Sequence, residues 1–227
     1  MRSNLILTGG INHDFTDTAE ALAEVLLEVG FESTITDDLH AGFDQLANSR
    51  FDLITIFTLR WRMLDDDKYI PYRDEWSYEI NERDRTNLVS HMAKGGGLLG
   101  LHTACICFDT WQEWCDLLGA KWVWQQTFHP LPAALQVRVG AQHSICQGLT
   151  DFEVVDELYH DLWTGPDSVP LLSAVSSDNG TQQTIAVANE VFGGRSVFSS
   201  LGHDRASMKT EGHARFIQNA ADWCASG

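Results

Sequence analysis

Several ionisable side chains stand directly after predicted strands, where catalytic groups are often found. His13 follows the first predicted strand, His102 ends a short apolar strand, Glu157 follows the predicted strand at 152–156, and His203 follows the last predicted strand. Ligands of an open parallel sheet bind beyond the carboxyl ends of its strands, because loops and helix N-termini converge there. We therefore expect these side chains to meet in one crevice.

The predicted catalytic residues are His102, Glu157 and His203. Glu157 would act as a general acid or base, while the two imidazoles would transfer protons or polarise a carbonyl. Imidazole and carboxylate are also ligands of zinc and similar divalent ions, so the same three residues are a candidate metal site. The spacing leaves both chemistries open, because the residues come from distant segments and form no compact ligand motif.

A second group of residues is predicted to bind the substrate: His13, Trp61, His129, Tyr159 and Asp204. Flat aromatic rings stack on the faces of sugars, and carboxylates accept hydrogen bonds from hydroxyl groups. A histidine-rich cleft lined by tryptophan in an acidic protein therefore favours a neutral, polyhydroxylated small molecule. Histidines 40, 91 and 213 lie on predicted helices or loops without such partners and are interpreted as structural.

The elements that must position these residues alternate between strands and helices in the first half of the chain. Apolar runs predict strands at 4–8, 33–36, 51–59 and 98–101, and apolar residues at helical spacing predict helices at 17–30 and 81–92. Thr16 or Asp17 is expected to cap the first helix, and Gly30 to end it. A further helix is expected between the second and third strands. This alternation predicts a parallel sheet with helices on both faces.

The second half of the chain changes pattern. Strands with short connections are predicted at 134–139, 152–156, 171–175, 184–188 and 195–201, and an amphipathic helix at 206–224 closes the chain. We find no linker or internal repeat, so the prediction is one domain spanning residues 1–227.

Charge and composition exclude several classes of partner. The chain has 32 acidic and 15 basic residues and a formal charge of −17. Nucleic acids and anionic membrane surfaces are bound by clustered cations, which are absent here. No apolar stretch approaches the roughly 20 residues that span a bilayer. The first apolar run is too short for a signal peptide, and five irregularly spaced cysteines fit a reducing compartment, so a cytoplasmic location is expected.

Common catalytic signatures are missing from the sequence. It contains no GxSxG elbow, no Walker A loop, no GxGxxG after a strand and no HExxH helix. The glycines at 95–97 precede a strand and do not open a helix, so they are interpreted as a turn. Cys105 and Cys107 are not favoured as nucleophiles, because free cysteine usually behaves as a small buried hydrophobic residue.

Several motifs, in order along nearly the whole chain, closely resemble the trehalose-utilisation (ThuA-like) family. They lie at 95–104, 114–119, 129–130, 143–149, 156–159 and 200–204, and the ending at 215–225 is similar to the closing helix of that family. The resemblance implies the class I glutamine amidotransferase-like fold, an α/β, flavodoxin-like three-layer sandwich with a mostly parallel sheet.

The resemblance also implies a loss of activity. Amidotransferases of this fold carry a cysteine nucleophile where this chain has His102, so glutamine hydrolysis through a thioester is not expected. Family members usually have proline where Ser144 stands here. The segment 60–78 matches no known motif and is expected to influence substrate choice, so trehalose itself is not carried over as the substrate.

Two functions remain open from the sequence. The first is an enzyme of carbohydrate metabolism, of the hydrolase or isomerase type, acting on a sugar or keto-sugar derivative by acid–base or metal-assisted chemistry. The alternative is a non-catalytic sugar-binding or regulatory protein on an amidotransferase-like scaffold. The histidine-rich pocket favours the enzyme, because neutral sugars can be held without groups that titrate near neutral pH. An exposed, tryptophan-rich segment at 60–78 would also suit a homo-oligomer.

Overall fold

The computed structural model describes residues 1–140, 142–176 and 179–227, which form strands and helices as follows. The strands are β1 (Arg2–Leu7), β2 (Phe31–Thr36), β3 (Leu53–Ile56), β4 (Gly97–Leu101), β5 (Ala120–Lys121), β6 (Ala133–Val139), β7 (Phe152–Asp156), β8 (Trp163–Thr164), β9 (Val169–Val175), β10 (Gln182–Val191) and β11 (Gly194–Ser199). The helices are α1 (Phe15–Leu27), α2 (Leu39–Asn48), α3 (Arg73–Trp76), α4 (Glu82–Ala93), α5 (Trp114–Leu118), α6 (Arg205–Lys209) and α7 (Glu211–Cys224).

Nine of the strands form one mixed sheet in the order β2-β1-β3-β4-β11-β10-β9-β6-β7. The strands from β2 to β11 are parallel to their neighbours, and those from β11 to β7 are antiparallel. The mostly parallel central strands, flanked by helices, confirm the predicted α/β flavodoxin-like fold. The antiparallel half arises from the short connections in the second half of the chain, because only antiparallel neighbours can be joined by a tight turn.

Alternate residues of the central strands pack into two apolar layers. Ile6 of β1 and Leu99 of β4 belong to one layer together with α1 and α7, whereas Leu5 and Leu98 belong to the other, with α2 and α4. Side chains alternate between the two faces of a strand, so a strand covered on both faces must be apolar throughout. This is why the buried runs in the sequence predicted these strands well.

The start of α1 differs from the prediction. Asp14 caps the helix, since its carboxylate accepts a hydrogen bond from the amide of Asp17 at 3.1 Å, and Phe15 is the first helical residue. The prediction of Thr16 or Asp17 as the cap was therefore wrong by two or three residues. Gly30 does adopt the expected left-handed conformation, with φ of 84°.

The closing helix is divided into α6 and α7. Thr210 lies between them in an extended conformation with ψ of 126°, so the prediction of one continuous helix was wrong. His213 explains how the break is accommodated, because its Nδ1 lies 3.0 Å from the carbonyl oxygen of Ser207. The Ser207 carbonyl, which also accepts from the amide of Thr210 at the end of α6, thus gains a second and buried partner.

The segment 60–78 folds back onto the protein. The Trp61 side chain is only 1% exposed, and its indole nitrogen donates to Asp65 at 2.9 Å. Trp76 packs under the guanidinium of Arg60, 4.5 Å from the ring centroid. The expectation of exposed tryptophans in this segment was therefore wrong, because both rings have partners within the chain.

Among the described residues, no helix is both long and apolar enough to cross a membrane.

Candidate active site

His102 occupies a sharp turn directly after β4. Its φ of 51° is left-handed, and its side chain is fully buried. Nδ1 lies 2.8 Å from the carbonyl oxygen of Ser200, and because a carbonyl only accepts, Nδ1 carries the proton and Nε2 carries a lone pair. Burial lowers the pKa of His102 to about 4, so the imidazole is neutral at physiological pH.

Glu157 follows β7 and faces three imidazoles. Its Oε2 lies 3.5 Å from His102 Nε2, and its Oε1 lies 3.3 Å from His129 Nδ1 and 3.4 Å from His203 Nδ1. Burial alone would raise the pKa of Glu157, but the interaction with His203 and the surrounding imidazoles outweighs burial and lowers it. The carboxylate is therefore ionised.

His203 follows β11 and is paired with this carboxylate. The adjacent Glu157 carboxylate raises the pKa of His203, and this effect outweighs burial, which lowers it. The 3.4 Å contact lacks good hydrogen-bond alignment, so we describe it as an ion pair. His203 is thus the imidazole of the site that most readily carries a proton near neutral pH.

His13 is brought to the site by the tight loop after β1. Gly10 in that loop has φ of 145°, and a Cβ atom there would lie 2.8 Å from the carbonyl oxygen of Leu59. The His13 ring centroid lies 4.9 Å from those of both His102 and His203. Burial lowers the pKa of His13 to about 3, so this imidazole is also neutral.

A cavity of about 180 Å³ opens above these groups. The aromatic residues that line it are Trp61, Tyr69, Trp122, Trp124 and Tyr159. The ionisable side chains that converge at its floor are His13, His129, Glu157 and His203. A larger groove of about 530 Å³ lies along residues 46–52 and 94–96, beside the starts of β3 and β4. We assign the site to the smaller cavity, because the ionisable groups with shifted pKa values converge there.

The aromatic wall joins the segment 60–78 to the rest of the cavity. The Trp61 ring lies 4.9 Å from Tyr69 and 6.0 Å from Trp124, measured between ring centroids. Trp122 packs edge-on against Tyr159 at 5.2 Å, and its buried indole nitrogen has no hydrogen-bond partner among the described residues. Trp122 thus offers a donor to a ligand oxygen in the cavity.

The structure brings seven of the eight predicted site residues together and leaves one outside. The seven are His102, Glu157, His203, His13, Trp61, His129 and Tyr159. Asp204 does not border the cavity, because its carboxylate caps α6 by accepting from the amide of Ser207 at 2.8 Å. The local reason is that Asp204 directly precedes the helix, where a short acidic side chain satisfies a free amide.

Asp156 is a functional residue that sequence reasoning missed. It is fully buried, and its Oδ1 accepts from the Glu157 amide while its Oδ2 accepts from the Gly202 amide, both at 2.7 Å. The Ser207 hydroxyl donates to the same Oδ2. Burial raises the pKa of Asp156. Its position at the end of a predicted strand, next to Glu157, was the available signal, but sequence alone does not show what the carboxylate binds.

The buried cysteines near the turn are poor nucleophiles. Burial raises the pKa of Cys107 to about 12 and raises that of Cys105 well above its ordinary value. A thiol must lose its proton to attack, so neither residue replaces the elbow cysteine of amidotransferases.

The fold and the site together define a class: a flavodoxin-like α/β protein with an imidazole–carboxylate cluster at the carboxyl ends of its strands. The sequence model of the ThuA family, described as trehalose utilisation, matches residues 4–224. The chain therefore belongs to the ThuA family, and this membership indicates a carbohydrate-related role.

Solved structures support the same fold. A ThuA-like protein of Parabacteroides merdae is similar with a TM-score of 0.79 and 17% identity, over 100% of this chain and 90% of that one. One of Bacteroides uniformis is similar with a TM-score of 0.73 and 18% identity, over 98% and 91%. A β-galactosidase of Rahnella is similar with a TM-score of 0.60 and 13% identity, over 97% of this chain but 31% of the larger enzyme. Among curated proteins, none matches significantly.

Proposed function

We propose that the protein is an enzyme of carbohydrate metabolism that acts on a sugar or keto-sugar derivative. The observation that carries the proposal is an ionised carboxylate, Glu157, among imidazoles at the floor of an aromatic cavity. Family membership supports a carbohydrate as the substrate. Titratable groups at the floor favour a reaction over binding alone, because a neutral sugar can be held without them.

Glu157 and His203 form a complementary acid–base pair. The lowered pKa of Glu157 keeps its carboxylate ionised and able to accept a proton as the general base, while the raised pKa of His203 lets that imidazole carry a proton to a substrate oxygen. A base and an acid 3.4 Å apart suit proton transfer beside a carbonyl, as in isomerisation or epimerisation, and also hydrolysis. Neutral His13 borders the cavity and would orient the substrate or polarise its carbonyl, whereas fully buried His102 would act on the substrate through its contact with Glu157.

The cavity favours a substrate with one sugar ring. Its volume of about 180 Å³ is smaller than the roughly 300–1,000 Å³ of pockets that enclose drug-sized ligands. The half-buried rings of Tyr69, Trp122 and Trp124 offer apolar surface against which a sugar could stack. The indole N–H of Trp122, which has no partner among the described residues, would offer a hydrogen bond. His129, at the rim beside Glu157, would contact substrate hydroxyls.

The test is a panel of sugars and keto-sugars incubated with wild type and with Glu157→Gln, with products followed by NMR. We expect turnover by the wild type and a loss of about 100-fold or more in the variant, with sugar affinity measured by calorimetry largely retained. Glu153→Gln is the matched control, because Glu153 lies on the same strand but is exposed. Full turnover by Glu157→Gln would remove this residue from the mechanism.

The alternative, a non-catalytic sugar-binding or regulatory protein, has one structural observation in its favour. The turn that holds the nucleophile in amidotransferases here holds His102, whose side chain is fully buried. Binding of a sugar by the wild type, without conversion of any sugar in the panel, would support this alternative.

A further inference from the structure

We propose that His13, His102, Glu157 and His203 bind one divalent transition-metal ion of the Zn²⁺ type. One ligand atom from each side chain lies within 4.8 Å of those of the other three. The inference deepens the proposed function by naming its cofactor, and it adds His13 to the three ligands that the sequence predicts. It depends on the same site but not on the identity of the sugar.

The first argument is the direction of the lone pairs at His102 and Glu157. The Ser200 carbonyl fixes the His102 proton on Nδ1, so the Nε2 lone pair faces Glu157 Oε2 at 3.5 Å. Both atoms are buried acceptors without a donor among the described residues. Two acceptors facing each other repel, and buried polar atoms are normally satisfied, so a cation between them is the arrangement that suits both.

The second argument is the convergence of two more imidazoles on the same point. Nδ1 of His13 is also buried without a partner in the described chain, and Nδ1 of His203 meets Glu157 only through a poorly aligned contact. Zinc binds nitrogen and oxygen at about 2.0–2.2 Å, so neighbouring ligand atoms of a tetrahedral ion lie about 3.4 Å apart. The 3.5 Å between His102 Nε2 and Glu157 Oε2 already has this spacing, and ligand atoms nearer the 4.8 Å limit of the cluster would move inward when the ion binds.

The third argument is the support behind the ligands. Metal-binding histidines generally donate their second N–H to a carbonyl or carboxylate, as His102 does to Ser200. Glu157 is held through its own amide by Asp156. Three imidazoles and one carboxylate suit Zn²⁺, Co²⁺, Mn²⁺ or Fe²⁺ better than Mg²⁺ or Ca²⁺, which prefer all-oxygen sites. When bound, such an ion would supply a Lewis acid for a sugar oxygen.

The test uses the purified, tag-free full chain, stripped with EDTA and dialysed against Zn²⁺ alone or Co²⁺ alone. We expect about one equivalent of metal by plasma mass spectrometry and a visible Co²⁺ absorption band typical of nitrogen ligands. His13→Ala and Glu157→Gln should each weaken binding by about 100-fold or more. His143→Ala is the matched control, because its ring packs against Trp223, outside the cluster. Circular dichroism would check that each variant is folded.

Two results would overturn the inference: less than a tenth of an equivalent bound by folded wild type, or unchanged affinity in both His13→Ala and Glu157→Gln. These measurements distinguish failure of the proposed metal site from failure of the proposed function. Metal-free protein with full sugar turnover would refute the metal site alone. Stoichiometric metal lost in the variants, without turnover of any sugar, would refute the proposed reaction alone.

Discussion

Acid should destabilise the metal-free protein through His102. Burial lowers the pKa of His102 from 6.5 to about 4, despite the opposing charge of Glu157 and the hydrogen bond to Ser200. Between these two values the unfolded chain binds a proton that the folded chain does not. The contribution of neutral His102 to stability is therefore complete above about pH 6.5 and is lost as the pH falls towards about 4.

The size of this loss follows from the difference between the two pKa values. One pKa unit corresponds to about 1.4 kcal/mol, so a fall from 6.5 to about 4 corresponds to about 3 kcal/mol. At about pH 4.5 most of it, about 2–3 kcal/mol, is already lost. This is a substantial part of the roughly 5–15 kcal/mol by which domains are stable.

Urea unfolding in EDTA, at about pH 7 and about pH 4.5, would measure the loss. The comparison is wild type against His102→Asn, since asparagine tolerates the left-handed φ of 51° better than other residues without an imidazole, glycine excepted. The wild type should lose about 2–3 kcal/mol more than the variant on acidification, because other acid-sensitive groups are common to both. Equal losses in the two proteins would show that His102 is not a buried neutral imidazole.

Three further predictions concern the support of the site and the packing. Asp156→Asn should cost about 1–3 kcal/mol of unfolding free energy, because one backbone amide loses its acceptor; unchanged urea midpoints would contradict this. Gly97→Ala should cost about 1–3 kcal/mol in thermal unfolding, since a Cβ would lie 2.6 Å from the Cys224 backbone, whereas at Gly140 a Cβ would make only an ordinary contact of 3.8 Å with the Leu171 carbonyl oxygen. Cys105 and Cys107 should react with thiol reagents only after unfolding; rapid reaction in the folded state would contradict their burial.

The central strands could be predicted from sequence because each contains a short run of mostly apolar residues. β1, β3 and β4 are covered on both faces, so successive residues in these runs are buried and do not alternate with exposed polar residues. Elements held mainly by tertiary contacts could not be predicted. β5 and β8 are two residues each and exist only as a pair, too short to leave a periodic pattern. The break at Thr210 likewise depends on the contact between His213 and Ser207.

Residues of the candidate site that directly follow strands could be predicted from sequence. Features of the site that depend on contacts in the folded chain could not. The ends of β1, β4, β7 and β11 supplied the right residues. The cap formed by Asp204 and the aromatic contact of Tyr69 depend on neighbours that become close only in the folded chain. The same holds for the proton on His102, whose place is set by a carbonyl almost a hundred residues away.

The strand order alone does not explain how Glu157 reaches this site. Glu157 follows β7, which is the edge strand of the sheet, four positions from β11. At about 4.8 Å per strand, a flat sheet would separate the two strand ends by about 19 Å. Yet Asp156 at the end of β7 lies 2.7 Å from the Gly202 amide, just after β11. The antiparallel half must therefore curl back over the parallel half, as a twisted sheet can.

Asp156 connects the end of β7 to the loop after β11, next to the candidate site. One of its carboxylate oxygens accepts from the amide of Glu157 and the other accepts from the amide of Gly202, next to His203, so a single buried side chain links the two segments that carry Glu157 and His203. The parallel half alone brings together His13, His102 and His203, which are three imidazoles without a counter-charge. Only closure of the antiparallel half adds the carboxylate. The assembly of the candidate site is thus tied to the folding of the whole sheet.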